Sequence, residues 1–445
     1  MRKSKRNAAA QPGPTPTAVR LPNSDQSEND RQKQSSIQIG IDWADKTHAF
    51  HLIDPDGITA SGNLDQSPEA IETWLLGLQS KYPNARVDIC LETSRGALIN
   101  ALLQYPLVTV YPVNPAALAN YRKAFNHGGG KSDPVDARLI LQYLQHYRTQ
   151  LRPLQIDQPL TRELASLCID RRRLVQQRVK LSNELKSLLK VYFPAILLLK
   201  PAKMYAIFIV TLLLKFATLK EAQIAGRTKL RNFFFGVGTK ASAEARIEIL
   251  MNAKPLTTDD VILRTSARRA QAICGQLQSL NKSIKAYDHE IESLVKTHAD
   301  YQIVASLPAG SSNTRARLIV ALGDDRGRYG DAAGLQSASG IAPLTTQSGK
   351  QRYVSSRWAC SKFMRQTFHE YAGLSIGKCR WANSFYESQM KKGKSSSTAK
   401  RALAYKWIRI IYRLWQTGEA YDDAKYEARL IACGSPLAQQ PAPQA

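Results

Sequence analysis

The feature that most constrains the fold of this chain is an alternation of short apolar runs with helical segments between residues 37 and 113. The runs SIQIGIDWAD, THAFHLID, TASGNL, RVDICLETS and PLVTVYPVN have the length and composition of strands. Helical segments are predicted between them at Pro68–Lys81 and Ala97–Gln104. Strands that alternate with helices predict an α/β domain whose sheet is covered on both faces.

Acidic residues stand toward the ends of these apolar runs and at one helix start. Asp42 follows Ile-Gly-Ile and Glu92 follows Ile-Cys-Leu, both toward the carboxyl ends of predicted strands, where open α/β sheets place their sites. Asp133 and Asp136 are three residues apart at a helix start, so both can face one way. Converging carboxylates are costly unless cations bind them, and Mg²⁺ takes such oxygen ligands. We interpret these four acids as candidate metal ligands.

Each candidate ligand has a structural alternative that the residues alone leave open. Asp42 could accept backbone hydrogen bonds at a strand end, and Glu92 could cap the helix that follows it. Asp133, followed by proline, has the pattern of an N-cap, and Asp136 falls where a capping box places its acid. Asp88 is a weaker alternative ligand because it could share the face of Glu92.

The charge of the chain indicates its class of partner. Lys and Arg number 62 against 36 Asp and Glu, a formal net charge of +26. An excess of this size predicts a polyanionic partner, because each phosphate contact releases condensed counterions. Together with the candidate metal ligands, it predicts a metal-dependent enzyme that acts on DNA or RNA.

A membrane surface is the rival polyanion, and the sequence disfavours it. The most apolar stretch, Tyr205–Leu214, has about half the length that a bilayer-spanning helix needs. The basic N-terminus lacks the apolar stretch of a secretory signal. The six cysteines are scattered and form no CxxC pair, which predicts a reducing compartment and no structural zinc. We therefore expect a cytoplasmic protein.

Helical periodicity dominates the remaining sequence. Two long amphipathic stretches, Thr161–Tyr192 and about Asp259–Thr297, predict an antiparallel helix pair or an intermolecular coiled coil, with mostly helical residues 194–258 between them. Further helices are predicted near Ala316–Leu322, Lys362–Gly373 and Thr398–Trp415. In the last of these, Trp407, Ile408, Ile411 and Leu414 are predicted to face the core.

A polar loop, ASGIAPLTTQSGKQRYV, precedes the last two helices and contains Ser348. Taken alone, such a serine is a solvated turn residue. Basic and aromatic residues follow it and fit either backbone neutralisation with base stacking or solvated helix faces over core aromatics. They are Lys350, Arg352, Arg357, Lys362 and Arg365, interleaved with Tyr353, Trp358 and Phe363. A second loop, HGGGK at residues 127–131, is predicted to be mobile.

These motifs together resemble the DEDD transposases of bacterial insertion sequences of the insertion sequence 110 type. IGIDWADKTH, LETSRG and KSDPVDARLI are similar to the RuvC-like, RNase H-fold half of that family. RRRLVQQRVKLSNELKSLLK resembles its coiled-coil portion. SGIAPLTTQSGK and GKSSSTAKRALAYKWIRIIY resemble its C-terminal transposase half. The order of these motifs covers nearly the whole chain after the N-terminal tail.

The resemblance implies a chemistry and a set of partners. Asp42, Glu92, Asp133 and Asp136 would bind Mg²⁺, and Ser348 would be the nucleophile that forms a covalent link to DNA. The implied partners are donor and target DNA and a structured guide RNA, the bridge RNA. The implied assembly is a dimer to tetramer in which the metal site of one subunit serves the serine of another.

The predicted domains follow from the resemblance and the patterns together. They are a disordered basic tail (1–36), a RuvC-like DEDD domain (37–155), a helical coiled-coil region (156–300), a mostly α C-terminal transposase domain with the catalytic serine (301–420) and a tail (421–445). RNA binding is expected on the first two structured domains, where one helix has a dense basic run. Its residues are Arg171, Arg172, Arg173, Arg178, Lys180 and Lys186. Two rival functions are a structure-specific endonuclease that uses metal-activated water and a non-catalytic nucleic-acid-binding protein.

Overall fold

A computed structural model of the chain describes residues 36–125, 132–349, 351–435 and 437. The chain divides into two compact units, one up to Ile156 and the other from Asp157. This division lies one residue from the domain boundary predicted after residue 155. Except for Ser36, the predicted tail 1–36 lies outside the described residues, and so does the predicted mobile loop 127–131.

A five-stranded sheet is the centre of the first unit. Its strands are β1 (Ser36–Asp42), β2 (Thr47–Ile53), β3 (Thr59–Asp65), β4 (Arg86–Leu91) and β5 (Val108–Pro112). The spatial order is β3-β2-β1-β4-β5. Strands β1, β4 and β5 are parallel, whereas β2 is antiparallel to both of its neighbours. The predicted strands are therefore confirmed.

Helices cover both faces of this sheet. They are α1 (Pro68–Lys81), α2 (Ala97–Leu102), α3 (Pro115–Phe125) and α4 (Asp133–Tyr147). Ile39 and Ile41 pack with α1 and α2, whereas Cys90 and Tyr111 pack with α3 and α4. Because successive strand residues point to opposite faces, one apolar strand supplies both layers. The α/β architecture predicted for this unit is confirmed.

Gly40 in β1 allows α4 to lie unusually close to the sheet. A Cβ atom at this position would stand 2.3 Å from the Ala137 carbonyl oxygen and 2.3 Å from the Leu141 backbone nitrogen. Both atoms belong to helix backbone, so no side-chain rotation can relieve the overlap. A glycine is therefore required where β1 and α4 meet.

We expect Gly40→Ala to lower the free energy of unfolding by about 1–3 kcal/mol, because the methyl group forces α4 away from β1. Chemical denaturation of the purified protein measures this change. Gly77→Ala in α1 is the matched control, since a Cβ there meets nothing within 4 Å. That control is expected to be neutral or stabilising by up to about 1 kcal/mol. Equal stability of Gly40→Ala and the parent protein would contradict the close packing.

Two long helices run side by side in the second unit. They are α5 (Pro159–Tyr192) and α10 (Asp260–Val295). Arg171 near the start of α5 pairs with Asp288 near the end of α10, whereas Glu184 pairs with Arg269. These pairings make the helices antiparallel, which is one of the two predicted arrangements. The intervening residues form α6 (Ala195–Leu198), α7 (Ile207–Lys215), α8 (Leu219–Gly236) and α9 (Ala243–Asn252). Residues 194–258 are therefore mostly helical, as predicted.

Part of the dense basic run in α5 serves this helix pair. The Arg171 Nε atom lies 2.5 Å from Asp288 Oδ1. Arg178 donates to Asn281 Oδ1 at 3.2 Å, and its guanidinium stands 3.9 Å from the ring centroid of Tyr205. These two arginines therefore contact the rest of the second unit and are not both free for the RNA contact predicted for this run. Its exposed members are Arg173, Lys180 and Lys186.

Further helices and a strand hairpin complete the second unit. They are α11 (Tyr301–Ala305), α12 (Ser312–Leu322), α13 (Ala332–Ala338), β6 (Pro343–Ser348), β7 (Gln351–Ser356), α14 (Lys362–Ser375), α15 (Arg380–Lys391), α16 (Ser396–Thr417) and α17 (Asp423–Ala432). Trp407, Ile408, Ile411 and Leu414 are buried, which confirms the prediction for α16. Within the described ranges, no helix is both long and apolar enough to cross a membrane.

One hydrophobic core joins these helices to the ends of the long pair. Leu164 and Cys168 of α5 and Val295 of α10 pack in the same cluster as Trp381 and Trp407. The predicted helical region (156–300) and the predicted C-terminal domain (301–420) therefore lie in one compact unit from Asp157 onward.

The structure corrects two assignments in the C-terminal region. Residues 343–356 form an antiparallel hairpin rather than the predicted loop. Residues 421–432, predicted as tail, are packed: Tyr421 accepts from Trp381 Nε1 at 2.9 Å and donates to Asp423 Oδ1 at 2.7 Å. Asp422 caps α17 by accepting from the Lys425 backbone nitrogen. The hairpin strands have no buried face, and α17 is only ten residues long and buries no residue fully, so neither gives a strong local signal.

Candidate active site

Asp42 and Glu92 lie at the carboxyl ends of two neighbouring parallel strands. Asp42 is the last residue of β1, and Glu92 follows β4 directly, in a bend. The paired register of the two strands ends at Ile41 and Leu91, and adjacent strands lie about 4.8 Å apart. Asp42 shares the face of Gly40, which contacts α4, because strand side chains alternate. The two acids therefore lie at the same edge of the sheet.

The direction of α4 brings its first turn toward the same edge. Arg148, directly after α4, has its Nε atom 3.1 Å from Asp88 Oδ2 in the first half of β4. The start of α4 therefore lies toward the carboxyl ends of β1 and β4. Asp136 is buried there, with 2% of its surface exposed, whereas Asp133 is exposed.

Asp88 is not the alternative ligand considered from the sequence. It lies four residues before Glu92, about 13 Å along the strand. Burial raises the pKa of the Asp88 carboxyl, and the ion pair with Arg148 opposes that rise. This buried ion pair links the end of α4 to the sheet.

Arg122 of α3 faces the buried Asp136. Its Nη2 atom lies 2.9 Å from Asp136 Oδ1. This distance makes an ion pair, but the direction is not that of a hydrogen bond, and Oδ1 has no hydrogen-bond partner among the described residues. Asp136 therefore has a neutralising charge beside it and an oxygen whose hydrogen-bonding capacity is unused.

The capping alternatives for the acids are wrong. Ser132 is the N-cap residue of α4 and makes no side-chain capping bond, and Asp133 is the first helical residue. Gly96, with φ of 121°, occupies the N-cap position of α2, which also has no side-chain capping bond, so Glu92 does not cap that helix.

The structure places Asp42 and Glu92 at the carboxyl ends of neighbouring strands and Asp133 and Asp136 in the first turn of α4. Within the described ranges, no three His, Cys, Asp or Glu side chains are grouped so that they could hold a metal ion. The complete ligand set of Asp42, Glu92, Asp133 and Asp136 therefore stays a prediction.

Ser348 occupies the tip of the hairpin in the second unit. It is the last residue of β6 and pairs with Gln351 of β7. Gly349 has φ of +56°, a left-handed conformation that suits glycine in a tight turn, and Lys350 lies outside the described residues. Every residue of β6 and β7 is exposed. The sequence from Pro343 to Ser356 contains no Asp, Glu or His, so the hairpin presents a hydroxyl group without a base of its own.

Aromatic side chains near the hairpin have two different environments. Tyr353 is 61% exposed and Trp358 is 85% exposed. Phe363, by contrast, packs against the core of the second unit. Tyr353 and Trp358 are therefore the members of the predicted aromatic set that are available for base stacking.

Comparison with known proteins identifies the family. Residues 39–194 match the DEDD transposase family model of the IS110 type, described as "Transposase", and residues 301–387 match the model described as "Transposase IS116/IS110/IS902 family". The chain belongs to the IS110 family of transposases. It is a DNA-processing enzyme, and DNA is its substrate.

Relatives of this IS110-family transposase align over most of its length. It is 26% identical over 412 residues to the "Mini-circle putative transposase for IS117" of Streptomyces coelicolor, an alignment that covers 89% of this chain and 98% of that protein. It is 25% identical over 395 residues to the "Insertion element IS116 uncharacterized 44.8 kDa protein" of Streptomyces clavuligerus, with 86% and 95% covered. The first family match contains all four acids, and the second contains Ser348.

Two arginines of this transposase gain roles that the sequence analysis missed. Arg122 was not singled out, because nothing in the sequence connects it to Asp136 on the next helix. Nothing in the sequence connects Arg401 of α16 to the hairpin either. Its guanidinium donates to the Ile341 carbonyl oxygen at 3.0 Å and to Ser356 Oγ at 2.6 Å, at the two ends of the hairpin.

Proposed function

We propose that this transposase is an RNA-guided DNA recombinase that cuts and rejoins DNA through a covalent bond between Ser348 and DNA. One observation carries the proposal: Ser348 stands at the exposed tip of a hairpin that contains no Asp, Glu or His, while the four candidate ligands belong to the other unit. A serine hydroxyl is a weak nucleophile unless a base or a cation assists it. The proposal therefore combines the two groups of residues in one reaction.

The acids fit a divalent cation by their chemistry and placement. Asp42, Glu92 and Asp136 would hold the ion, with the exposed Asp133 as a further ligand. Carboxylate oxygens are the ligands that Mg²⁺ prefers, and the ion pair of Asp136 Oδ1 with Arg122 shows that this carboxylate already faces a positive group. When bound, the ion supplies positive charge at the scissile phosphate. The mixed sheet supports our proposal that this domain is RuvC-like.

The proposed step balances without an energy source. The Ser348 oxygen attacks the phosphorus atom, one phosphorus–oxygen bond to deoxyribose breaks, and the hydroxyl proton passes to the leaving oxygen. A deoxyribose hydroxyl of another strand then attacks the phosphoserine bond, and the serine regains its proton. Gly349, next to Ser348, has no side chain, and a Cβ atom there would meet nothing within 4 Å. The DNA backbone can therefore approach the Ser348 hydroxyl closely.

The missing base implies a composite site. Because the hairpin contains no acid or histidine, carboxylates from elsewhere must assist Ser348. We propose a homo-oligomer, dimer to tetramer, in which the acids of one subunit act on the serine of another. Exposure of both strands of the hairpin supports this arrangement, since an exposed hairpin can enter a neighbouring subunit.

The guide RNA supplies the sequence specificity in this proposal. The net charge of +26 and the exposed Arg173, Lys180 and Lys186 support binding of a second polyanion beside DNA. Sequence is then read by base pairing, and the protein reads backbone and shape.

We expect recombination in a purified system to require the structured RNA from the end of the element. The assay contains the full-length protein, donor DNA, target DNA and Mg²⁺, and sequencing of the junctions measures the product. Changing the target-pairing bases of the RNA should move the junction to the newly matched target. A scrambled RNA of equal length is the control, since it keeps the charge and loses the pairing. Unchanged junctions without RNA would show that the transposase is not guided.

A further inference from the structure

A basic pocket lies at the root of the hairpin that carries Ser348. Its volume is about 310 Å³, and Ile341, two residues before the hairpin, forms part of its wall. Lys362 and Arg365 of α14 and Arg401 of α16 line it together with His369, Gln366 and Ser397. No Asp or Glu is among the described residues that line it. The pocket therefore concentrates positive charge without an internal counter-charge.

The acidic residue beside the pocket residue His369 is engaged elsewhere. Glu370, next to His369 on α14, pairs with Arg317 and accepts from Gln366. Burial lowers the pKa of the Arg401 guanidinium, and the nearby charge of Arg365 lowers it further. An arginine stays protonated under these conditions, so its cation is held at a cost from burial and from the neighbouring charge. An anion in the pocket would offset part of that cost.

Arg365 retains donor capacity that the protein does not use. Its Nη2 donates to the Arg357 carbonyl oxygen and to Cys360 Sγ. Its Nε atom is buried and has no hydrogen-bond partner within the described residues. A buried donor without an acceptor is costly, and a guanidinium matches the oxygens of a phosphate. No ligand reaches this buried atom as the side chain stands, so Arg365 contributes to the pocket through the positive charge that it places in the wall.

Arg401 joins the pocket to the hairpin. Its guanidinium donates to the carbonyl oxygens of Gly340 at 3.2 Å and Ile341 at 3.0 Å, before β6, and to Ser356 Oγ at 2.6 Å, at the end of β7. One side chain thus holds both ends of an otherwise exposed hairpin. A ligand that binds beside Arg401 is thereby held at a fixed distance from the hairpin tip.

We propose that this pocket binds one backbone phosphate of the DNA strand that Ser348 attacks, and so sets the register of that strand on the hairpin. The inference rests on the proposed function, since it takes Ser348 as the point of attack. Ser348 is five residues from Pro343 at the hairpin root, about 17 Å in an extended strand. Duplex DNA rises about 3.4 Å per base pair, so the bound phosphate lies about four to six nucleotides from the cut.

A scan with neutral phosphates tests this register. Single methylphosphonates, which lack the phosphate charge, are placed along the cleaved strand, and DNA affinity is measured with the full-length Ser348→Ala protein. We expect one or two adjacent positions to lose about tenfold in affinity, the size of one charged hydrogen bond. In a protein that also carries Arg365→Gln, a methylphosphonate at those positions should no longer lower the affinity, because the two changes delete the same contact. The effect of methylphosphonates at all other positions should be unchanged.

Arg409→Gln is the matched control on α16. Arg409 is exposed and does not line this pocket, so it should lower affinity without removing the sensitivity at those positions. If Arg365→Gln does not fold, Lys362→Gln on the exposed start of α14 replaces it. The proposal would be overturned if a methylphosphonate at those positions still lowered DNA affinity in the pocket variants. It would also be overturned if affinity fell only when the neutral linkages were placed in the RNA instead of the DNA.

The result separates the pocket from the nucleophile. The scan uses non-covalent binding, so it reports on the pocket even if Ser348 is not the attacking group. A covalent adduct on Ser348 in the parent protein without the position-specific effect means that the pocket proposal fails alone. The position-specific effect without an adduct means that the proposed chemistry fails and the phosphate site remains.

Discussion

Ser348→Ala is expected to abolish the covalent protein–DNA adduct and to lower recombination by about 10⁴- to 10⁶-fold, as loss of a nucleophile does in other enzymes. A nicked suicide substrate traps the intermediate, because the strand that would reverse the reaction diffuses away. Denaturing electrophoresis then reports the adduct, and peptide mapping locates it. The parent protein should give one modified peptide, which contains Ser348.

The hairpin offers a matched control for this substitution. Ser355 lies exposed on β7 and differs from Ser348 only in its position along the hairpin. Ser355→Ala should keep the adduct and most of the activity. An adduct on Ser355, on Ser339 or on a tyrosine would assign the attack to another residue. Cleavage that continues in Ser348→Ala without any adduct would favour the endonuclease that uses metal-activated water.

The sheet of the first unit was predictable because its strands are apolar and bounded by turns. Asp42 and Glu92 could be placed at strand ends for the same reason, since an acid after a buried apolar run marks where that run meets solvent. The close approach of α4 could not be foreseen. It depends on Gly40, and a glycine within a strand is compatible with several geometries.

The hairpin and α17 were missed because neither is built around buried residues. All side chains of β6 and β7 are exposed, so their sequences lack the alternation that identifies a half-buried strand. Helix α17 buries no residue fully, and Tyr421 before it reaches the core from a polar segment. Helix α17 packs against residues far along the chain, which a local pattern cannot reveal, whereas β6 and β7 pair with each other and have no buried face to mark them.

The candidate site shows the same division. Residue types and their order made the four acids candidate metal ligands, and the family resemblance made Ser348 a candidate nucleophile; these roles stay predictions. The Arg122–Asp136 pair and the contacts of Arg401 with both ends of the hairpin depend on tertiary packing. A basic residue on a helix is compatible with a solvated, structural or ligand-binding role. Only the surroundings of each guanidinium distinguish these roles.

Asp42→Asn is expected to lower DNA cleavage by at least about 10³-fold while DNA binding changes little, because the amide keeps the shape and loses the charge that holds the cation. Asp136→Asn should have the same effect on cleavage, with an added loss of stability since it leaves Arg122 without its partner. Asp45→Asn is the matched control, an exposed acid three residues after Asp42. Cleavage is measured on labelled DNA over a Mg²⁺ titration, and a chelator should reproduce the loss. Full cleavage in excess chelator would contradict a metal role.

Mixing two inactive proteins tests whether the acids and the serine act across subunits. Asp42→Asn retains Ser348, and Ser348→Ala retains the acids. If the site is composite, the mixture should recover part of the activity, because only mixed assemblies combine an intact serine with intact acids. In a dimer, about half of the assemblies are mixed and each has one working site of two, so the recovered activity should be about one quarter of the parent value or less. Adducts should then form only on the subunits that carry Asp42→Asn, which an affinity tag of different mass on each protein reveals. No recovery in confirmed mixed oligomers would mean that each subunit uses its own acids, and the exposed hairpin would then have to reach the acids of its own chain.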